Sequence, residues 1–320
     1  MVPAPVKNDG APLVVIAGAT GSGKGDLARE LARRIDGELV LADSRKVIRG
    51  LDIGTAKPFR GPDDPGLWHL LDVCRPGEVF SAARFQRLAD EAIAGIRGRG
   101  RVPIVVGGTG LFIRALLFGI IETPPRDEQL RQRLEAEEDA EPGRLHRRLA
   151  ELDPDCARRL AASDRVRLVR ALEVVLSTGR TMSDLQREHG FRAPRYRFWA
   201  LAVDWPRDEL YRRLEIRVGR MLERGWLDEV RSLRAALRGE ERRVLQTLGY
   251  RELMRHLDGE WPLERAVEEI QRAHRRYARR QLAWFRSEPW LEWVSAPPDI
   301  GKVERRAREF LEGCAGATAP

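Results

Sequence analysis

The stretch that decides the fold spans eight residues and reads Gly18-Ala19-Thr20-Gly21-Ser22-Gly23-Lys24-Gly25. It follows an apolar run at residues 13–17 and precedes residues 26–35, whose apolar side chains repeat with helical spacing. A G-x-x-x-x-G-K loop between a strand and a helix is typical of phosphate binding. Its backbone N–H groups and the helix N-terminus face phosphate oxygens, and its lysine adds a positive charge. We therefore predict that these eight residues, here called the P-loop, wrap a polyphosphate or pyrophosphate group.

The last position of the P-loop departs from the usual pattern. A serine or threonine that contacts Mg²⁺ normally stands where this chain has Gly25. Thr20, Ser22 and Asp43 are the candidates to take over that contact, directly or through water. We predict Mg²⁺ as the cofactor, bound more weakly than in a P-loop that keeps the hydroxyl.

Apolar runs alternate with helical patterns along much of the chain. Residues 38–42, 102–106 and 198–203 are predicted strands, and residues 80–97 are a predicted helix. Such alternation is typical of a parallel α/β sheet. Long arginine-rich helices are predicted from residue 207 to residue 311.

A second type of sequence interrupts this alternation. Residues 127–190 are charged and show helical patterns without a clear apolar strand. We therefore predict an α/β fold, a P-loop NTPase-like parallel sheet flanked by helices, with an all-helical insertion domain. Residues 1–122 and 197–320 would form the core with its C-terminal helices, and residues 123–196 the helical insertion.

The composition limits the class of protein. Apolar residues make up 42% of the chain, and three cysteines lie far apart without a CxxC pair, which argues against a structural zinc site or a disulfide framework. No stretch approaches a membrane span and no signal peptide precedes the first strand, so we expect a cytoplasmic protein without a membrane partner. The net charge of +8 favours a polyanionic partner such as nucleic acid, although an arginine-rich genome alone can raise this count.

Six further segments, in this order, carry a more specific pattern. They are residues 43–58 (DSRKVIRGLDIGTAKP), 69–73 (HLLDV), 107–112 (GGTGLF), 170–174 (RALEV), 249–252 (GYRE) and 280–286 (RQLAWFR). This set resembles the tRNA dimethylallyltransferases, also called tRNA isopentenyltransferases, of the bacterial type without a zinc finger. The D-S…R-G-x-D-I-G-T-A-K-P run is the most specific part, and the resemblance extends from about residue 13 to about residue 290.

The resemblance implies a transferase. Members of this family move a dimethylallyl group from dimethylallyl pyrophosphate to the exocyclic amine of adenosine 37 of tRNA, release pyrophosphate and use Mg²⁺. The P-loop would then hold an allylic pyrophosphate rather than ATP. The implied partners are the tRNA anticodon stem-loop and dimethylallyl pyrophosphate, and we expect the protein to act as a monomer.

Three residues are candidates for catalysis. Asp43 follows the second predicted strand, where open α/β sheets bind ligands, and would accept the proton that the adenine amine loses; its alternative is a Mg²⁺ or water ligand. Thr109, at the end of another strand, would hydrogen-bond a phosphate oxygen or simply end the strand in a turn. By resemblance, Arg217 would neutralise charge on the leaving pyrophosphate, with a surface salt bridge as its alternative.

The resemblance also implies that the insertion at residues 123–196 contacts tRNA, and it indicates which residues of the chain do so. The target adenine must leave its stack to be modified. The segment after Asp43 departs here from the family's usual Met-Gln-Val-Tyr, since Lys46 replaces a glutamine that can read adenine. Arg131 has a solvated charge as its alternative, and Tyr277 and Trp284 fit a helix core better than a stacking platform. The predicted contacts are Asp43, Ser44, Arg45, Lys46, Arg131, Val166, Arg167, Arg170, Gln246, Gly249, Tyr250, Arg251, Arg279, Arg280, Gln281, Trp284 and Arg286.

Three other functions stay open at this point. A nucleotide or small-molecule kinase uses the same type of loop, although Gly25 and the D-I-G-T-A-K-P run argue against it. A tRNA-binding relative without catalytic activity would explain the departures at Gly25 and Lys46. A prenyltransferase that acts on free adenylate would not need the basic insertion and C-terminal helices.

Overall fold

A computed structural model of the chain describes residues 12–58, 68–191 and 193–315. The chain forms two compact units. One is Phe118–Pro194, and the other combines the residues that precede and follow it. None of the helices in these described ranges is both long and apolar enough to cross a membrane.

A six-stranded parallel sheet forms the centre of the larger unit. Its strands are β1 (Pro12–Ala17), β2 (Gly37–Ala42), β3 (Trp68–His69), β4 (Val102–Gly107), β5 (Arg197–Asp204) and β6 (Glu292–Ser295), and their order is β3-β2-β4-β1-β5-β6. Every pair of neighbours runs parallel. Residues 13–17 of β1 and all of β2 are buried, which explains the apolar runs at residues 13–17 and 39–42. The predicted parallel α/β fold is confirmed.

Thirteen α-helices occur within the described residues, together with a 3₁₀-helix at Gly239–Gln246. In chain order they are α1 (Lys24–Arg34), α2 (Ala82–Gly98), α3 (Gly110–Phe118), α4 (Glu128–Ala140), α5 (Arg144–Leu152), α6 (Pro154–Arg159), α7 (Arg165–Thr178), α8 (Met182–His189), α9 (Arg207–Glu223), α10 (Trp226–Ala236), α11 (Tyr250–Leu257), α12 (Leu263–Arg286) and α13 (Ile300–Ala315).

The smaller unit contains helices α4 to α8 and, within its described residues, no strand. Its core consists of leucines such as Leu134, Leu149 and Leu168, which are fully buried. Aspartates cap several of these helices; the Asp127 carboxylate, for example, accepts a hydrogen bond from the N–H group of Leu130. The all-helical character predicted for this segment is confirmed.

Three elements were missed by the sequence analysis, namely β3, α3 and β6. The two-residue β3 and four-residue β6 are too short to show an alternating pattern. Both lie at the edges of the sheet, where one neighbouring strand is enough to hold them. Helix α3 is apolar on most sides, so it carries no helical periodicity that a sequence pattern can reveal.

Candidate active site

The P-loop connects the carboxyl end of β1 to the N-terminus of α1. Gly21 and Gly23 both adopt left-handed backbone conformations, with φ of +82°. A Cβ atom on Gly21 would also lie 2.8 Å from Leu214 Cδ2 of α9, so glycine is required there for two reasons. Lys24 Nζ donates a hydrogen bond to Ala19 O over 3.1 Å, which holds the lysine across the loop. The predicted strand–loop–helix context of the P-loop is confirmed.

A cavity of about 550 Å³ opens beside the P-loop. The carboxyl ends of β2 and β4 and one face of α9 complete its wall. Its lining includes the basic side chains of Lys24, Arg29, Lys46, Lys57, Arg212, Arg213, Arg217, Arg220 and Arg224, against the carboxylates of Asp26 and Asp43. Such an excess of positive charge suits a ligand with several negative charges.

Burial changes the titration of the cations in this cavity. Desolvation, together with the charge of Lys46, lowers the pKa of Lys24 to about 7, although Asp43 opposes the shift. Desolvation also lowers the pKa of Lys46 to about 8. Burial lowers the pKa of Arg217 below its usual range. All three groups are therefore under-solvated cations that an anionic ligand would stabilise.

Asp43 lies at the cavity with one carboxylate oxygen already engaged. Its Oδ1 accepts hydrogen bonds from the N–H groups of Arg45 (2.9 Å) and Lys46 (3.2 Å), which fix the orientation of the side chain. Its Oδ2 has no hydrogen-bond partner in the part of the chain that the structure describes. That oxygen is the group available to accept a proton or to face a metal ion.

Thr109 joins the ends of two strands. Its Oγ1 accepts a hydrogen bond from Ser44 N–H over 3.1 Å, and its own N–H donates to Ala42 O over 3.2 Å. It also begins α3, because its carbonyl accepts from Phe112 N–H. The hydroxyl proton stays available for a phosphate oxygen, so the structure accommodates both roles considered for Thr109.

Arg217 extends from α9 to the cavity. Its Nη2 donates to Thr55 O over 3.2 Å, and its buried Nε has no hydrogen-bond partner among the described residues. It forms no ion pair with any described residue, so the surface salt bridge considered as its alternative does not occur. A guanidinium with spare donors beside the P-loop is suited to bind an anion.

The D-I-G-T-A-K-P run forms a loop that supports Arg217. Glu229 accepts hydrogen bonds from three successive backbone N–H groups of this loop, at Asp52 (2.9 Å), Ile53 (2.7 Å) and Gly54 (3.1 Å). The Tyr250 hydroxyl donates to the same carboxylate over 2.6 Å. Sequence reasoning missed Glu229, because it lies about 175 residues from its partners and belongs to no local motif.

The other end of this loop is fixed by Lys57. Its Nζ donates to Ile48 O over 2.8 Å and forms ion pairs of 2.5 Å with Asp52 and Asp72. Gly54 is required because a Cβ there would lie 2.0 Å from Trp226 Nε1. The most specific run of the sequence therefore has a structural role: it places the Thr55 carbonyl that holds Arg217.

The residues predicted to contact tRNA fall into two groups. Those with exposed side chains are available to a macromolecule. In the larger unit these are Arg45, Gln246, Arg251, Arg279, Arg280 and Arg286, and in the smaller unit Val166 and Arg167. Val166 is 71% exposed although it is apolar, which is the more unusual observation.

The side chains of the second group are buried or bound within the protein, and for these residues a tRNA contact stays a prediction. Gly249 and Tyr250 are buried, and the Tyr250 hydroxyl is bound to Glu229. Burial raises the pKa of Tyr250 above its usual range, which keeps that hydroxyl protonated as a donor. The Gln281 amide is also buried, between two loops of the sheet edge.

Trp284 is half-buried and packs within the larger unit, which favours its alternative assignment to the helix core. A Cβ on Gly110 would lie 2.0 Å from its Nε1, and the Arg114 guanidinium lies 4.3 Å from the centre of its ring. In the smaller unit, Arg131 and Arg170 form ion pairs with Glu173, whose side chain is fully buried. Arg131 is only 12% exposed, so it stabilises its own unit instead of presenting a solvated charge.

Comparison with known proteins identifies the family. A family model described as IPP transferase matches residues 46–288, which is more than half of the chain. The chain belongs to the IPP transferase family. The matched range begins after the P-loop and Asp43, so the assignment of those residues rests on the geometry described above. The resemblance to tRNA dimethylallyltransferases predicted from the sequence is confirmed.

Relatives within the IPP transferase family are similar to this chain over nearly its whole length. A tRNA dimethylallyltransferase of Anaeromyxobacter dehalogenans strain 2CP-1 is 52% identical over 93% of this chain and 97% of its own length. The crystal structure of the tRNA isopentenylpyrophosphate transferase of Bacillus halodurans has a TM-score of 0.68 at 35% identity, covering 96% of this chain and 98% of its own. The crystal structure of a eukaryotic dimethylallyltransferase acting on tRNA has a TM-score of 0.75 at 26% identity. The match covers 93% of this chain and 77% of that chain.

Proposed function

We propose that this chain transfers a dimethylallyl group from dimethylallyl pyrophosphate to the exocyclic amine of adenosine 37 of tRNA and releases pyrophosphate. The observation that carries the proposal is the composition of one cavity. Asp43, with a free carboxylate oxygen, lines the same 550 Å³ space as Lys24, Lys46 and Arg217. A proton acceptor and several phosphate-binding cations therefore face one substrate-sized volume, as prenyl transfer to an amine requires.

The reaction forms one bond and breaks another at the same carbon. The amine nitrogen attacks C1 of the dimethylallyl group, and the C1–O bond breaks with its electron pair leaving on pyrophosphate. The amine then carries an additional proton, which the Oδ2 atom of Asp43 accepts. Lys24, Arg217 and the P-loop N–H groups stabilise the negative charge that grows on the leaving group.

The residues at the site fit a Mg²⁺ ion that is bound together with the substrate. No group of three or more His, Cys, Asp or Glu side chains able to hold a metal occurs among the described residues. Mg²⁺ usually takes only one or two protein ligands plus substrate phosphates and water, so such a group is not required. The buried Ser22 Oγ lacks a hydrogen-bond partner in the described part of the chain, and Thr20 is partly buried beside it. These hydroxyls, and Asp43 through water, would hold the ion, which would neutralise pyrophosphate charge when bound.

The tRNA would approach the exposed cations around this cavity. Arg45 lies two residues after Asp43 and is exposed, and Arg279, Arg280 and Arg286 are exposed on α12. Arginine guanidinium groups bind phosphates through paired hydrogen bonds, whereas the flipped adenine must enter the cavity itself. We propose the anticodon stem-loop as the bound part of tRNA, a monomeric enzyme, and the cytoplasm as the place of the reaction.

Purified protein, dimethylallyl pyrophosphate and unmodified tRNA test the proposal directly. We expect mass spectrometry of the digested tRNA to show dimethylallyl-adenosine at position 37. In Asp43→Asn the amide oxygen can still accept hydrogen bonds from the two backbone N–H groups, but the side chain can no longer accept the proton. This variant should reduce product formation by about 10²-fold or more. Its tRNA affinity should change by less than about twofold. Asp228→Asn, at a side chain that is 73% exposed, is the matched control and should behave as wild type.

Three results would contradict the proposal, each in favour of another function. Phosphorylation that consumes ATP, with no prenylated product, would identify a kinase. Binding of tRNA by the wild-type protein without any modified adenosine would identify a non-catalytic relative. Efficient prenylation of free adenylate in preference to a stem-loop RNA would identify an adenylate prenyltransferase.

A further inference from the structure

The Gln281 side chain joins two loops at the carboxyl edge of the sheet. Its Oε1 accepts a hydrogen bond from Thr20 N–H in the P-loop over 2.8 Å. Its Nε2 donates to Gly108 O, in the loop after β4, over 2.7 Å. The side chain is only 8% exposed, so little of its surface is open to a contact with RNA.

A primary amide is well suited to this position. It presents an acceptor oxygen and an NH₂ donor at its end, and each makes one hydrogen bond here to a backbone group that would otherwise be buried without this partner. A glutamate would place a second acceptor against Gly108 O. The approach is close as well, because a Cβ on Gly108 would lie 2.4 Å from Gln281 Nε2.

Two other side chains hold the neighbouring positions of the P-loop. Trp205 Nε1 donates to Ser22 O over 2.9 Å, and Arg213 Nε donates to Gly21 O over 3.1 Å. A backbone N–H or C=O group of each P-loop residue from 20 to 22 is therefore hydrogen-bonded to a side chain that lies beyond residue 200 in the sequence. A loop held in this way keeps its conformation before the anion arrives, which strengthens binding because less ordering is needed.

We propose that Gln281 is a positioning residue of the pyrophosphate site, which fixes the P-loop to the loop after β4, and that it does not contact tRNA. The inference rests on the proposed function only in naming pyrophosphate as the anion. Binding of inorganic pyrophosphate tests the role of Gln281 whether or not the protein transfers a prenyl group. Failure of the proposed function would appear separately, as the absence of prenylated tRNA from the wild-type reaction.

The test compares two dissociation constants in Gln281→Met, which has a similar length but no hydrogen-bonding groups. We expect the Kd for inorganic pyrophosphate, measured by calorimetry with Mg²⁺, to rise about tenfold or more. The Kd for tRNA should change by less than about twofold. A rise in the Kd for tRNA with an unchanged Kd for pyrophosphate would overturn the proposal and restore a tRNA contact.

Gln271→Met is the matched control, since Gln271 lies on the same helix, α12, and undergoes the same chemical change at a half-buried position. It should leave the Kd for pyrophosphate unchanged. Trp205→Phe provides a second variant if Gln281→Met does not fold, because it removes one hydrogen bond to the P-loop and keeps an aromatic ring. It should raise the Kd for pyrophosphate by a smaller factor, and an unchanged value would contradict the positioning role.

Gln281→Glu should show a pH dependence of pyrophosphate binding that a general loss of stability would not produce. A protonated carboxylic acid can accept from Thr20 N–H and donate to Gly108 O, as the amide does, whereas a carboxylate cannot donate. Burial raises the pKa of such a carboxyl group, whereas the nearby positive charge of Lys24 lowers it, since Lys24 Nζ and Gln281 Nε2 lie 3.5 Å and 2.4 Å from the same Cβ position on Gly108. Acidification still increases the protonated fraction. The ratio of the Kd values of this variant and wild type should therefore fall toward 1 as the pH decreases from 8 to 6. A ratio independent of pH would contradict the proposed geometry.

Discussion

Two lysines in the cavity are poised to titrate near neutral pH. The pKa of Lys24 is about 7 and that of Lys46 about 8, chiefly because burial disfavours the charged form. A bound pyrophosphate reverses this effect, since an adjacent anion favours the protonated lysine. Proton uptake and binding of pyrophosphate are therefore linked at these two residues.

The linkage predicts how the affinity for pyrophosphate depends on pH. Above pH 7 a growing fraction of the free protein has a neutral Lys24, which must be protonated before it can pair with the anion. The Kd for inorganic pyrophosphate, measured by calorimetry, should therefore rise between pH 7 and pH 9. A Kd that is constant or falls across this range would contradict the assignment of both lysines to the site.

Lys46→Arg is the control for this pH dependence. Arginine stays protonated across the range, so the variant should lose the part of the rise that is centred near pH 8 and keep the part near pH 7. The exposed Lys302 lies outside this cavity, and Lys302→Arg should keep the full wild-type dependence.

Among individual site residues, the sequence could predict those that belong to a local motif or stand at the end of a strand. Lys24 follows from the P-loop spacing, and Asp43 from its position at a strand end. Gln281 was found in the sequence but assigned to tRNA, because its true partners lie 261 and 173 residues away. Glu229 was not found at all, since a glutamate on a helix is normally a solvated residue. Only the folded chain brings these long-range partners together.

The loop at residues 52–58 is the element on which the placement of Arg217 depends. Its N–H groups are bound by Glu229, and its Thr55 carbonyl holds Arg217. In the proposed reaction Arg217 opposes charge that develops during bond breaking, so movement of this loop should affect the transition state more than ground-state binding.

Glu229→Gln tests this dependence. The amide cannot accept at both ends, so at least one of the four hydrogen bonds is lost and the loop shifts. We expect kcat for prenyl transfer to fall about tenfold, with a smaller change in KM for dimethylallyl pyrophosphate. Tyr250→Phe removes one of the four bonds and should give a smaller decrease. The exposed Glu223 on α9 supplies the control variant Glu223→Gln, and wild-type kcat in Glu229→Gln would refute the dependence.

Among the helices and strands, those with a long sequence pattern could be predicted and the shortest strands could not. The buried strands β1, β2, β4 and β5 appeared as apolar runs, and the smaller unit appeared as helical periodicity. Strands β3 and β6 were missed because pairing with a single neighbour, not sequence pattern, determines them. The helices α9 and α12 were predicted as arginine-rich, but which arginines face the cavity depends on tertiary packing.

Across the whole molecule, positive charge is concentrated along one face of α9. Arg213, Arg217, Arg220 and Arg224 follow one another at intervals of three and four residues and line the cavity. The Arg220 and Arg224 side chains form no hydrogen bond or ion pair with any residue that the structure describes. Unpaired cations at a cavity increase the rate at which an anionic substrate arrives.

The double variant Arg220→Gln/Arg224→Gln should therefore slow the association of dimethylallyl pyrophosphate about three- to tenfold at low ionic strength, measured by stopped flow. Its rate should also depend less on added salt, because salt screens these charges in the wild type. Arg231→Gln/Arg272→Gln changes the net charge equally at residues outside the cavity. Equal slowing in both double variants would show that position along α9 is irrelevant.

The order of strands has a consequence for the synthesis of this protein. The strand that carries the P-loop, β1, is made first, yet its neighbour β5 follows only after the entire smaller unit. At about 5–20 residues per second, the roughly 180 intervening residues take a ribosome about 9–36 s to add. Throughout that interval β1 presents an unpaired apolar edge, which is a template for aggregation. We therefore expect a nascent chain stalled within the insertion to expose this edge of β1, and its P-loop still lacks the hydrogen bond from Thr20 N–H to Gln281.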